Sequence, residues 1–165
     1  MAAGATYFPI ATTTLGSNSA TIEFTSISGS YTDIVLILSA KASGGNMDAW
    51  IQFNGDTGTN YSMTTLRANG STVTSDFYTS LNYGYGDLSG YINTSNFNVE
   101  IIQFMNYSNT TTYKTFLSRA STAGNGLDAI VNLWRSTAAI TSIKLSGSQT
   151  YASGTTATLY GIEYA

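Results

Sequence analysis

The chain has 165 residues, only 9% of them charged, and a formal net charge of −3. That length suffices for one packed domain, and six scattered Lys and Arg in an acidic chain argue against gripping a phosphate backbone. There is no Cys and no His, which removes disulfide frameworks, thiolate zinc sites and the usual imidazole base of a serine or cysteine hydrolase.

Aromatic residues make up 13%, twelve of them Tyr, too many for a disordered chain. The polar balance comes from Ser, Thr, Asn and Gly rather than from charge, as in an all-β protein rich in turns. Residues 1–4 carry no basic region, and the longest aliphatic run, residues 34–38, is far too short to cross a bilayer. Synthesis in a cytoplasm without membrane insertion is the expectation.

Residues 1–15 read as an N-terminal arm. Tyr7, Phe8, Pro9 and Ile10 are too apolar to stay wet without reason; they form either a loose terminus or an arm that docks on a neighbour, and Pro9 suits an arm or an edge strand. Residues 20–27 alternate through Ile22 and Phe24, a half-buried strand. Residues 34–42 form an aliphatic strand, joined through Ser43-Gly44-Gly45-Asn46 to a strand at 47–53 in which Met47, Ala49, Ile51 and Phe53 share a face. These two read as a hairpin.

The NGDTGTN connection at 54–60 leads to a strand at 61–67. Residues 68–95, including LNYGYGDLSGY, read as a long connection with one or two short strands. Residues 97–119, FNVEIIQFMNYSNTTTYKTFLSR, are the clearest hairpin. Glu100, Ile102 and Phe104 face one way and Val99, Ile101 and Gln103 the other. The near-continuous apolar character of this arm suggests a central strand covered on both faces.

Residues 127–135 fit helical or strand spacing, and their β-rich neighbours favour a strand. Strands at 140–146 and 157–164 close the chain. The expected fold is an all-β, antiparallel, jelly-roll-like sandwich of about eight to ten strands spanning residues 16–165.

No catalytic constellation or P-loop is present, and no catalytic, cofactor-binding or metal-binding residue is assigned. A glycosidase would need two carboxylates flanking a cleft, and most of the nine acids fall at strand ends or in turns, where Asp has structural uses. The turn at 54–58 offers one carboxylate, Asp56, thin support for calcium. Tyr78, Tyr83, Tyr85 and Tyr91, set among Gly, Ser and Asn, have the composition of a recognition surface for a sugar or a protein; equally, they can pack over a sheet edge. The candidate partner contacts are Tyr7, Phe8, Pro9, Ile10, Tyr83, Tyr85 and Tyr91.

The segments YFPIATTTLGS, IQFNGDTGTNYS, MNYSNTTTYKTFLSR, NLWRSTAAITSIKL and LYGIEYA resemble a family of short virion proteins of tailed bacteriophages, including cyanophages and uncultured aquatic phages. The likeness runs from about Tyr7 to Ala165. It implies a particle component, a β-sandwich and no enzyme, and it hands over no site residues. A head decoration (cement) protein reinforcing the outer capsid is the first reading. Its partners would be the major capsid protein and copies of itself, as a dimer or trimer. The alternative is a tail-fibre or receptor-binding module for a host surface glycan.

Overall fold

A computed structural model describes residues 6–163; residues 1–5 of the expected arm and Tyr164 of the expected closing strand lie outside them. Twelve strands and no helix occupy the described residues. They are β1 (Tyr7–Thr14), β2 (Ile22–Phe24), β3 (Asp33–Ala40), β4 (Met47–Phe53), β5 (Tyr61–Ala68) and β6 (Val73–Leu81), followed by β7 (Gly84–Ile92), β8 (Asn98–Phe104), β9 (Lys114–Thr122), β10 (Gly126–Trp134), β11 (Ile143–Gly147) and β12 (Thr156–Ile162). An eight-stranded sheet runs β1-β12-β3-β8-β9-β10-β5-β6, and a four-stranded sheet runs β2-β11-β4-β7. All pairings are antiparallel. The antiparallel sandwich expected from the sequence is the fold, with more strands than expected.

Period-two alternation explains which residues form the core. Met47, Ala49, Ile51 and Phe53 of β4 are buried, with Ile22, Phe24, Ile143 and Leu145 beside them. The large sheet answers with Ile34, Leu36, Leu38, Ile102, Phe104, Phe116 and Trp134. Phe53 is central: its ring lies 5.5 Å from Phe104, 5.0 Å from Phe116 and 5.3 Å from Trp134, in edge-on or tilted contacts.

Four expectations need correction. Residues 7–14 are not an arm: β1 pairs along β12 as the edge strand of the large sheet, with a bulge between Pro9 and Ala11. Pro9 is tolerated because an edge strand has one side free of ladder bonds. The strands at 34–42 and 47–53 are not a hairpin, since β3 and β4 lie in different sheets. The region 68–95 holds two nine-residue strands, β6 and β7. Finally, β8 is central in its sheet yet covered on one face: Val99 is 48% exposed.

The small sheet covers only part of the large one. Its edge strand β7 lies over β9 and β10, so the outer pair β5–β6 overhangs. The free edge of β7 points at the large sheet, and side chains there take the place of a neighbouring strand. Asn132 Oδ1 accepts from the Tyr85 amide at 2.9 Å, and Asn132 Nδ2 donates to the Tyr85 carbonyl at 3.0 Å. Ser118 Oγ donates to the Gly86 carbonyl. Asp128 Oδ2 accepts from the Leu88 and Ser89 amides, both at 3.0 Å, and Thr122 Oγ1 donates to the Tyr91 carbonyl at 2.6 Å. Buried backbone groups need partners, and these polar side chains supply them.

The approach is close enough to require glycine. A Cβ on Gly84 would lie 2.3 Å from Phe116 Cζ, and one on Gly86 would lie 2.7 Å from Glu100 Oε2. Gly84→Ala is therefore expected to destabilise the fold by about 1–3 kcal/mol through overpacking. Gly16→Ala, with nothing within 4 Å of its Cβ, serves as the neutral control in chemical denaturation. Asn132→Leu leaves a buried amide and carbonyl unpaired and should lower stability by about 2–4 kcal/mol. An unchanged midpoint would show that β7 does not depend on this side-chain ladder.

Candidate functional site

Two features stand out around β7: a carboxylate cluster beneath it and an open cleft beside it. Beneath it, Glu100 of β8 and Asp128 of β10 sit in one cross-strand row of the large sheet, separated by Ala120. Asp87 comes down from β7. All three are at most 1% exposed. Asp87 accepts from its own strand, from the Ser89 amide at 2.9 Å and the Ile92 amide at 3.0 Å. Asp128 also accepts from Ser89 Oγ at 2.7 Å. Neither oxygen of Glu100 has a hydrogen-bond partner among the described residues.

The electrostatics follow from burial. Desolvation pushes the Asp87 carboxyl up to about 7, its backbone hydrogen bonds opposing and Asp128 adding to the rise. Desolvation also holds Glu100 far above the ordinary carboxylate range, with Asp87 and Asp128 contributing. Three acids thus meet in space. They are buried, however, at most 1% exposed, and so out of reach of a glycosidic bond. Asp128 holds β7 to the large sheet, and Asp87 braces β7 from within.

The titration has a sign. Unfolded carboxylates titrate near pH 4, whereas folded Asp87 and Glu100 hold their protons to higher pH. Over that window the native state binds more protons than the unfolded chain, so stability falls as pH rises from about 4 through 7 and beyond. Glu100→Gln removes one such group. Its melting temperature should exceed that of the wild type at pH 8, and the gap should close toward pH 5. An equal difference at both pH values would refute the assignment.

The cleft, of about 680 Å³, lies where the small sheet stops short of the overhang. Its floor is the inner side of β5 and β6, with Arg67 and Thr74; its wall is β7, from Leu88 to Tyr91; Asn46 and Asp48 form the rim. Arg67 is ion-paired with Asp76, and its Nε has no partner among the described residues. Desolvation raises the Asp48 pKa, with Asp128 adding and Arg67 opposing.

Next to Asp48 on the same face of β4 is Trp50. Its ring stacks on Tyr83 at 4.5 Å, and Tyr83 meets Tyr85 edge-on at 5.3 Å. Burial first, then Tyr83, pushes the Tyr85 hydroxyl above its ordinary range, and Asp48 and Tyr78 add to it.

Of the residues singled out in the sequence, Tyr83 and Tyr85 come together here. Tyr91 does not join them at the surface: it is 5% exposed, its hydroxyl bonds the Ala68 carbonyl at 3.2 Å, and it belongs to the wall. Tyr7, Phe8, Pro9 and Ile10 are far off in the order of the sheet, on edge strand β1. Tyr7 packs edge-on against Tyr160, Phe8 stacks on Tyr31, and Ile10 packs against the core.

The turn at 54–58 is structural. Asp56 accepts from Trp134 Nε1 at 2.7 Å, from Asn60 Nδ2 at 2.9 Å and from the Gly58 amide at 2.8 Å. Although burial opposes it, these bonds hold its carboxyl below the usual range. Among the described residues no three carboxylates converge as a metal-ligand set. Asp48, Trp50 and Arg67 were missed from sequence. The alternation of β4 identified the faces, but nothing local indicated that the outer face of β4 borders an overhang of β5.

No protein-family model and no curated protein matches the sequence. Similar solved structures include a scytalido-glutamic peptidase with a peptide-based transition-state analogue, at 14% identity and TM-score 0.31 over 92% of this chain and 67% of that one. Another is an alginate lyase, Aly36B, in complex with alginate trisaccharide, at 11% identity and TM-score 0.31 over 92% of this chain and 80% of that one. Likeness at this level transfers no residue role, substrate or activity.

Proposed function

We propose that this chain is a non-enzymatic structural protein of a tailed-phage particle, a head decoration (cement) protein that lays the outer face of its eight-stranded sheet on the capsid. The observation that carries the docking is the character of that face. Three cross-strand rows cross it, among them Tyr160-Val35-Gln103-Leu117-Val131-Thr64-Phe77. Arg119 is the one charged side chain in the three rows. Phe77, Val73, Leu66, Val131, Val99 and Leu127 all stand exposed. A shallow groove of about 500 Å³, lined by Leu66, Leu117 and Val131, crosses its middle.

A charge-poor apolar face of this breadth marks an interaction surface. Seven strands spaced about 4.8 Å and three rows of side chains about 6.8 Å apart give roughly 700 Å², approaching the ~800 Å² per partner of a standard interface. The phage class itself rests on the sequence resemblance. A tail-fibre or receptor-binding role is the second reading, favoured by the Trp50–Tyr83–Tyr85 cluster on the other sheet.

Copy number separates the two. Quantitative mass spectrometry of purified particles should find hundreds of copies per virion. A handful would move the protein to the tail, and absence from particles would overturn both readings. Val131→Glu and Leu66→Glu should abolish rebinding to stripped particles while changing fold stability by less than about 1 kcal/mol, as expected of surface positions.

A further inference from the structure

We infer that the cleft between β7 and the β5–β6 overhang, together with the aromatic cluster beside it, is a binding site for neutral oligosaccharide. The inference is independent of where in a particle the chain resides. It stands on the juxtaposition of a polar cleft and an aromatic platform one strand repeat apart, Asp48 and Trp50 being alternate residues on one face of β4.

Sugars present hydroxyls that donate and accept, and ring faces of C–H groups that lie on aromatic rings. The site offers both complements. Asp48 supplies a half-buried carboxylate acceptor. Arg67, its side chain about one-third exposed on the cleft floor, supplies guanidinium donors. Thr72, Thr74 and Asn46 add exposed groups of both kinds along the cleft. Trp50, Tyr83 and Tyr85, held against one another, form a rigid amphipathic surface that loses little entropy on binding.

Other ligand classes fit worse. The guanidinium of Arg67 is already paired with Asp76 and Asp48 lies opposite, so phosphate, sulfate or uronate groups meet no unpaired cation. An apolar ligand would strand the amides, hydroxyls and carboxylate of the lining. The volume, about 680 Å³, is in the range of sites that enclose a small ligand.

The test uses the whole chain and short oligomers of glucose, galactose, mannose and N-acetylglucosamine. Trp50 should report binding by fluorescence, Trp134 being buried in the core. In two-dimensional amide NMR spectra of the wild type, saturable shifts should cluster at Asn46, Asp48, Thr72, Thr74 and Tyr85. Tyr83→Ala and Asp48→Asn should each weaken binding at least about tenfold, the loss of one good contact, with melting temperatures checked against the wild type. No saturable shift with any neutral oligomer would overturn the inference, whatever the variants do. So would shifts confined to the outer face of the eight-stranded sheet, or binding restricted to acidic sugars and abolished by salt.

Discussion

The arrangement depends on how a strand with one free edge is satisfied inside a sandwich. Strand β7 turns that edge onto the large sheet, where no strand lies parallel to it in the same plane. Asn132, Ser118, Asp128 and Thr122 supply donors and acceptors in place of a ladder. A buried backbone group without a partner costs on the order of 1–3 kcal/mol, so several of them together exceed what a small domain can lose. The polar residues of the core are therefore a structural necessity. They also fix the position of β7, and with it the boundary of the small sheet. Everything beyond that boundary, the overhang of β5–β6 and the cleft beside it, exists because the covering sheet ends there.

This explains what the sequence reveals and what it conceals. Strand β4 and the pair β8–β9 were legible because each buries one face fully, and alternation then writes itself into residue choice. Strand β6 was not, because an overhanging edge strand has both faces largely in solvent: its pattern is exposed almost throughout. Strand β7 was concealed for the opposite reason. Gly84 and Gly86 are close-approach positions, and in sequence such glycines look like turn residues. The crossing of β3 to β4 between sheets was also unreadable, since a short Gly-rich link serves a hairpin and a sheet change equally well.

The candidate site was half legible. Tyr83 and Tyr85 announced themselves by composition, whereas Asp48 and Arg67 are joined to them only by the tertiary packing of β4 against β7 and by the overhang. Tyr91 shows why composition alone misleads. It shares the Tyr/Gly/Ser context of the others, yet its ring fills the space above Gly126, where a Cβ would lie 2.3 Å from the Tyr91 hydroxyl.

Charge ties the two surfaces together. Burial holds the Glu100 carboxyl well above the ordinary carboxylate range, which shifts the folded state toward less negative charge than the formal −3. Both large surfaces carry few charges. One is an apolar sheet face with a single guanidinium, and the other a cleft whose Arg67 is answered by Asp76 and Asp48. A protein so weakly charged gains little from long-range steering and is poorly protected from self-association by repulsion. Its contacts must be made by shape and short-range complementarity. Those terms grow with the number of sites engaged at once.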